Sequence, residues 1–565
     1  MGKCPASTSD PAVRFEHLPL ISGPLGHLNA QRPRIMADVI RRTLQDFESG
    51  PLDLVLGESL YQERQRLKRE QINLFTRGRH KADQRLWSEI QTGLLQSSVS
   101  VDRKGLLKQV TRHYADEIAG RFNPEIYKVA THAVPFAFSW FLNAASVRRF
   151  LPWGLSESLA TRLSIVGEVS HLQKLAQKGT ILLVPTHQSN LDSVLIGYVI
   201  YLMSLPPFAY GAGLNLFSNP VLSFFMGNLG AYTVDRKKSN AIYKQTLKNY
   251  STTILREGIH SIFFPGGGRS RSGAIERRLK LGLLGTALDA QIEKLRNGSD
   301  KPNVYVVPMV MSYHFVLEAA SLIEDFLAES GKHRFIITDD ESWQSAKVLN
   351  FFWKLFSSQS GIVVRIGMPM DVFGNPVDEN GASMGPNGTT IDPRKWLTTR
   401  GELRADAARD HEYTRELGER IAERFHRDNT VMTSHVVAFA FFELLRSRYP
   451  ELDLYRFLRL SAEQRTLQLE GFLAYAQQVH AKLLQMEAQG ELYLSQELHA
   501  ADLRAWVDDG IKQLGVIHDA AVVKVAEDSV WTEDMNLLYY YRNRLTGYGG
   551  LKKTMGNCGR KGFLE

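Results

Sequence analysis

Three stretches of different periodicity divide the chain. Over residues 1 to about 150, apolar positions recur at helical spacing: Ile35, Met36, Val39, Ile40, Leu44 and Phe47 form one stripe, with Arg, Asp and Glu between them. From about 160 to 370 the pattern changes to short β-type runs at Leu163–Val166, Thr180–Val184, Ala231–Val234, Ser261–Phe264, Val304–Met311 and Ile362–Ile366. Helical stretches separate several of these runs; Asn240 to Glu257 is one, with Gly258 as its C-terminal stop. Such alternation predicts an α/β sheet with sites at strand ends. Gly, Pro, Asn and Asp crowd 375–405, which predicts a loop or linker, and beyond 406 the spacing is helical again through Leu514. The expected organisation is a helical N-terminal region (1–150), an α/β domain (151–405) and a helical C-terminal region (406–565), without internal repeats.

The segment 184–192, Val-Pro-Thr-His-Gln-Ser-Asn-Leu-Asp, directly follows the apolar run Ile181 to Val184. His187 and Asp192 on one regular helix would diverge by about 140°. They meet only if His187 lies in a turn and Asp192 in the first turn of the helix that Leu191 to Met203 predicts. Asp192 then accepts from one ring nitrogen and leaves the other free to take a proton from a hydroxyl. The bland alternative is a surface histidine beside a capping aspartate.

Two further strand ends carry cations. Asp235-Arg236-Lys237-Lys238 follows Ala231–Val234, and Pro265-Gly-Gly-Gly-Arg-Ser-Arg-Ser-Gly273 follows the run ending at Phe264. Glycines let backbone N–H groups approach an oxyanion closely, and Arg offers a planar charged fork. If the strands are parallel, both segments emerge on the edge where His187 emerges: a proton acceptor beside an anion pocket. No GxxxxGK[ST] nucleotide loop is present. His171, His260, His314 and His333 show no HExxH or HxH spacing, so no metal is implied and they read as structural or surface residues.

Composition narrows the partners. The 565 residues are 44% apolar and carry a formal charge of +8, with a pI near 9.2. That balance favours an anionic partner: a phosphate substrate, an acidic lipid surface or nucleic acid. No recognised nucleic-acid module is present, and no nucleic-acid partner is expected. Cys4 and Cys558 stand alone at opposite ends, so a disulfide framework is not expected and a reducing compartment fits. The N-terminal residues read neither as a signal peptide nor, with Ala6 where Ser or Thr is needed, as a myristoylation signal. Val194–Leu205 and Val436–Phe442 fall short of the roughly 18 apolar residues of a spanning helix. A membrane contact would therefore be peripheral or monotopic. Ala133–Ala144, with Phe136, Phe138, Trp140 and Phe141, reads as a core helix or a surface-inserting one. The basic tail Lys552–Lys561 is expected to be poorly ordered.

In order and spacing, His187-x4-Asp192, Gly230-Ala-Tyr-Thr-Val-Asp-Arg236, Phe264-Pro-Gly-Gly-Gly-Arg-Ser270 and Val307-Pro308 resemble the four blocks of the glycerolipid acyltransferases. These enzymes acylate glycerol 3-phosphate or lysophosphatidate. Val307 to Glu318, Leu538 to Asn543 and the long flanking helical regions are similar to the glycerol-3-phosphate branch. The resemblance implies an acyltransferase core, a mixed sheet flanked by helices. It implies His187 as general base and Asp192 as the group that orients it. Arg236 and Arg269, with Lys237, would hold the substrate phosphate; Gly267 and Ser270 would line the pocket and Pro308 shape its wall. The implied reaction moves an acyl chain from acyl-CoA or acyl-carrier protein to the sn-1 hydroxyl of glycerol 3-phosphate. It would run on an anionic membrane, at the cytoplasmic face of the inner membrane, with no cofactor beyond the co-substrate. Two positions depart from the pattern. Gly266 stands where the family has Glu, with Glu276 as a possible substitute, and Asp235-Arg236 stands where the branch often carries two Arg, a pair more typical of lysophosphatidate acyltransferases. The alternatives are acylation of lysophosphatidate at sn-2, acylation of dihydroxyacetone phosphate, and a non-catalytic lipid- or protein-binding scaffold. Gly266 motivates the last; intact His187, Asp192, Arg236 and Arg269 oppose it.

Overall fold

Ten consecutive buried residues, Val304–Tyr313, form the strand around which the molecule is built. A strand buried on both faces reads as a continuous apolar run, as this one and its neighbour Thr180–Pro185 do. In a computed structural model that describes residues 23–70, 77–95, 102–131, 163–214, 220–330, 361–399, 401–516, 518 and 520–551, seven strands form one sheet. They are β1 (Leu163–Gly167), β2 (Thr180–Pro185), β3 (Ala209–Gly213), β4 (Ala231–Val234), β5 (Ser261–Ile262), β6 (Val304–Tyr313) and β7 (Ile362–Ile366), in the order β1-β7-β6-β2-β5-β3-β4. Strands β2 to β6 are mutually parallel; β7 is antiparallel to β6, and β1 runs with β7. The expected mixed sheet flanked by helices is therefore present. The apolar segment Ala133–Ala144, the basic tail, Cys4 and Cys558 lie outside the described residues.

Sequence periodicity did not mark β3, Ala-Tyr-Gly-Ala-Gly, as a strand. Its glycines have low strand preference, and it is held by pairing to β4 on one side and β5 on the other. A Cβ at Gly211 would lie 3.0 Å from the Tyr232 hydroxyl, so the ring of β4 takes the missing side chain's place. Strand β5 is shorter than expected: Phe264 has left the ladder, with consequences for the site below.

Helices α1 (Leu28–Phe47), α2 (Leu52–Arg69), α3 (Arg77–Leu95) and α4 (Arg103–Ile118) precede the sheet. Their stripe of Val39, Leu56, Trp87, Val110 and Tyr114 shares one core with Tyr232 of β4 and with Ile242, Tyr243 and Ile254 of the helix Ala241–Arg256. Asn240 caps that helix by accepting from Tyr243 N at 2.8 Å, and Gly258 follows its end at φ +80°. At the other end of the chain, Thr433–Ser447 is buried on nearly all sides and joins the same core as β6. Segment 375–405 differs from a linker: it folds into two short antiparallel pairs and buries Val377 and Leu397. Among the described residues no helix is long and apolar enough to cross a membrane.

The turn after β4 is tied to the N-terminal helices by charge. Lys238, read in sequence as one of a cationic run, is fully buried and its ammonium donates to Asp83 and Glu117. Arg66 pairs with Glu63, Glu70 and the same Asp83, and Asn240 Nδ2 donates to Glu63 and Tyr114. Burial alone would raise the Asp83 carboxyl, but His113, Lys238 and Arg66 outweigh it and hold it well below its usual range. Lys238 Nζ thus fills the cation position that Asp83, His113 and Glu117 frame. Removing one member of a buried ion pair strands its partners at a cost of roughly 3–5 kcal/mol. Lys238→Met is accordingly expected to lower the midpoint of thermal unfolding clearly, whereas Lys237→Met, at an exposed position, leaves it within about a degree. Calorimetry of the two variants checks the contrast.

Candidate active site

Strand β2 leaves the sheet at Pro185, and Thr186 fastens the following turn to β6: its N–H donates to Met309 O at 2.9 Å, and its hydroxyl accepts from Met311 N at 3.2 Å. The next helix begins at Asp192 and runs to Leu202. Turn and helix start bring the two residues together as the spacing required: His187 Nδ1 lies 2.9 Å from Asp192 Oδ2. The same oxygen accepts from Gln188 N (2.7 Å) and Ser189 N (3.0 Å), and Oδ1 accepts from the Tyr313 hydroxyl (2.7 Å). Asp192 has no exposed surface. Burial and the Asp192 charge push the Tyr313 phenol far above its usual range, so it remains a donor. With Nδ1–H committed to a carboxylate, Nε2 carries the lone pair.

The imidazole is fixed from its other sides too. Phe264 stacks on it with centroids 3.9 Å apart and planes within 15°. The His187 N–H donates to Glu276 Oε1 at 3.1 Å, and its carbonyl accepts from Ser270 N at 2.7 Å. Burial holds the imidazole below its ordinary value of 6.5; Asp192 opposes the shift, and Arg269 and Arg236 add to it. His187 is therefore neutral at neutral pH, the state a proton acceptor needs.

Because β2, β4, β5 and β6 are parallel, their C-terminal ends share one edge, and the cationic segments emerge there. Arg236 Nη1 would lie 3.6 Å from a Cβ placed on Gly268, so the two segments touch. Partial desolvation and the neighbouring Arg269 charge both lower the Arg236 guanidinium, with Tyr210 opposing. Arg269 pairs with Glu318 at 3.4 Å, and Glu318 also accepts from Ser189 Oγ (2.9 Å) and Asn190 N (3.1 Å). Lys237 is exposed, and its backbone N–H donates to Asp235 Oδ1 at 2.8 Å. Gly267 adopts φ +74°, where a Cβ would strike Lys280. The Ser270 hydroxyl donates to Ala274 O at 2.6 Å and so shapes its own loop. Pro308 lies inside β6 opposite Val184, its carbonyl accepting from Gly367 N; its contacts belong to the sheet, three residues before the chain reaches Met311.

Sequence reasoning gave Tyr313, Phe264 and Arg544 no role in the site, although Phe264 opens the third of the four blocks. Arg544 is buried and donates to Met311 O at 3.0 Å and Asn429 Oδ1 at 2.8 Å. Each sits beside the site only through long-range packing. Buried polar side chains in strand-end segments were the available signal, and Glu318 and Glu276 carried it.

Residues 167–312, which hold the site apart from Tyr313, Glu318 and the C-terminal contacts, match the Acyltransferase family model. The resemblance to the glycerolipid acyltransferases stands. The chain is similar to the glycerol-3-phosphate acyltransferase of Pseudomonas fluorescens (strain SBW25), at 25% identity over 51% of this chain and 32% of that protein. It is also similar to that of Aeromonas hydrophila subsp. hydrophila, at 32% identity over 36% of this chain and 22% of that protein. The matched stretches thus span about a third or less of those relatives' own length. The structure of the 1-acyl-sn-glycerophosphate (LPA) acyltransferase PlsC from Thermotoga maritima aligns with 59% of this chain and 86% of that one at 17% identity and a TM-score of 0.24, a likeness too low to carry an argument.

Loss of a general base costs roughly 10²–10⁴-fold. His187→Ala is expected to lower turnover by that amount with the fold retained, and Asp192→Asn by a similar or smaller factor. Because His187 is held below 6.5, kcat/KM should fall only as pH drops beneath that value and stay level just above it. The profile is read in Glu276→Gln as well, since burial pushes the Glu276 carboxyl up to about 7. An acid limb centred above 6.5 in both forms would contradict a neutral resting histidine.

Proposed function

We propose that the protein transfers an acyl chain from a thioester donor, acyl-CoA or acyl-carrier protein, to the sn-1 hydroxyl of glycerol 3-phosphate, producing lysophosphatidate as the first step of phospholipid synthesis. One observation carries the reading. A histidine whose Nδ1 is committed to Asp192 stands beside two guanidiniums, Arg236 and Arg269, whose charges both lower the basicity of His187 and repel one another. A phosphate dianion relieves that repulsion, and its bound glycerol brings a hydroxyl to the imidazole.

In the proposed reaction His187 Nε2 takes the proton of the sn-1 hydroxyl as its oxygen attacks the thioester carbonyl carbon. The C–S bond then breaks, and the imidazolium returns the proton to the departing thiolate. Asp192 keeps the ring in one tautomer and stabilises the imidazolium; no covalent enzyme intermediate is required. The names of the relatives support glycerol 3-phosphate as acceptor. The Asp-Arg pair does not by itself favour lysophosphatidate: Asp235 is buried and folds the turn through Lys237 N, leaving Arg236 to project.

Purified protein incubated with labelled acyl-CoA or acyl-carrier protein and each acceptor in turn tests the reading. Product from lysophosphatidate but none from glycerol 3-phosphate would reassign the acceptor; no product with any pair would favour a scaffold. In the active combination Arg236→Ala should raise the acceptor KM about tenfold to a hundredfold, the loss of one charge-assisted hydrogen bond of roughly 1.5–3 kcal/mol, with the donor KM far less affected. Arg236→Lys should rescue it in part, since an ammonium lacks the bidentate fork. We further propose peripheral binding at the cytoplasmic face of the inner membrane, through the +8 charge. Sedimentation with anionic vesicles, reversed by high salt or detergent, is the expected outcome.

A further inference from the structure

Residues 265–280 leave β5 and return on themselves, closed at the base by Lys280 N donating to Pro265 O at 2.7 Å. The C-terminal segment clamps this loop from outside. Asn543 Nδ2 donates to Ser272 O (2.9 Å), Arg277 Nη2 donates to Gly547 O (2.9 Å), and Gly273, at φ +79°, lies so near Tyr540 that a Cβ would come within 2.2 Å of its carbonyl oxygen. The fold-back aims Glu276 inward. Its Oε1 accepts from the backbone N–H of His187, and its Cγ and Oε1 would lie 3.0 and 3.1 Å from a Cβ at Gly266. Gly266 is not in the left-handed region, so its backbone would accept a side chain. What fills the space is the Glu276 side chain.

We propose that Glu276 is a positioning residue for the His187 reaction: its carboxylate holds the peptide that carries the imidazole, from a volume that a side chain at position 266 could equally supply. The ring is held through Asp192 and Phe264, and the carbonyl of His187 through Ser270 N; among the described residues the His187 N–H donates to Glu276 alone. A backbone N–H left without an acceptor in such a turn is costly, and the turn relaxes to find another. Relaxation moves Nε2, and a displacement of about 1 Å in a catalytic group can cost on the order of a hundredfold in rate.

The test moves the carboxylate. Glu276→Ala should lower kcat roughly tenfold to a hundredfold with little change in the KM of the phosphate-bearing acceptor. Glu276→Gln, which keeps an oxygen acceptor, should stay within about threefold of wild type. Gly266→Glu alone should lower activity, because two side chains compete for one space. The double variant Gly266→Glu/Glu276→Ala should recover at least about tenfold over Glu276→Ala if the site depends on an acceptor in that volume. A folded double variant no more active than Glu276→Ala, or a Glu276→Ala enzyme with wild-type kcat, would overturn the proposal. If Glu276→Ala does not fold, Glu276→Met against Glu276→Gln makes the same comparison with the volume kept. The activity arm rests on the acyl-transfer reading, so a second arm is independent of turnover. The ¹⁵N ring signals of His187, assigned by difference from His187→Asn, should show one Nδ1–H tautomer in wild type and Glu276→Gln and lose that pattern in Glu276→Ala. An unchanged pattern there sinks the positioning role, whereas a wild type that acylates no acceptor sinks only the reaction assignment.

Discussion

Asp192 is a carboxylate with no exposed surface, and everything at the strand-end edge is arranged so that it can exist there. Burying an anion is prohibitive unless its lone pairs are occupied. Its donors come from His187, Gln188 and Ser189 in one turn and from Tyr313 at the end of β6. Any rotation of the turn, or slippage of β6 against β2, leaves part of that charge unsatisfied. The orientation of the histidine is thus a by-product of solvating an aspartate, which makes the geometry stiff before any substrate arrives.

Parallel strands explain why the remaining groups collect at the same place. The chain must cross back after each parallel strand, so each strand end opens into a segment free to carry chemistry at one edge. The flanking helical regions then act on those segments directly. The N-terminal helices grip the turn that bears Arg236 through Lys238, Asp83 and Glu117. From the other side, Arg544 donates to Met311 O and Asn543 to Ser272 O, so the C-terminal region reaches both β6 and the glycine-rich loop. Neither region is an appendage to a self-sufficient core; each fixes one wall of the site.

Charge is distributed unevenly within those walls. Glu318 restrains Arg269 while tying it to Ser189 and Asn190, next to the histidine. Among the described residues Arg236 has no carboxylate partner of this kind, and it repels Arg269. A site with this balance favours an anion and keeps its base neutral in the anion's absence, since both guanidiniums disfavour an imidazolium.

The local sequence determined the features that depend on neighbours along the chain. Apolar runs marked β2, β4, β6 and β7, the Asn240 cap and Gly258 stop bounded a helix, and the His187–Asp192 spacing demanded a turn followed by a helix start. Strand β3 escaped because two glycines erase its periodicity, and only pairing with β4 and β5 makes it a strand. Tyr313 and Arg544 were opaque as parts of the site for a related reason: a hydrogen bond to a residue more than a hundred positions away has no signature in either segment alone. Lys237 and Lys238 show the division most plainly. They are adjacent, identical in charge and indistinguishable by pattern, yet one is exposed and the other has no exposed side chain. Asp83 and Glu117, brought across from the N-terminal helices, decide which ammonium is drawn inward.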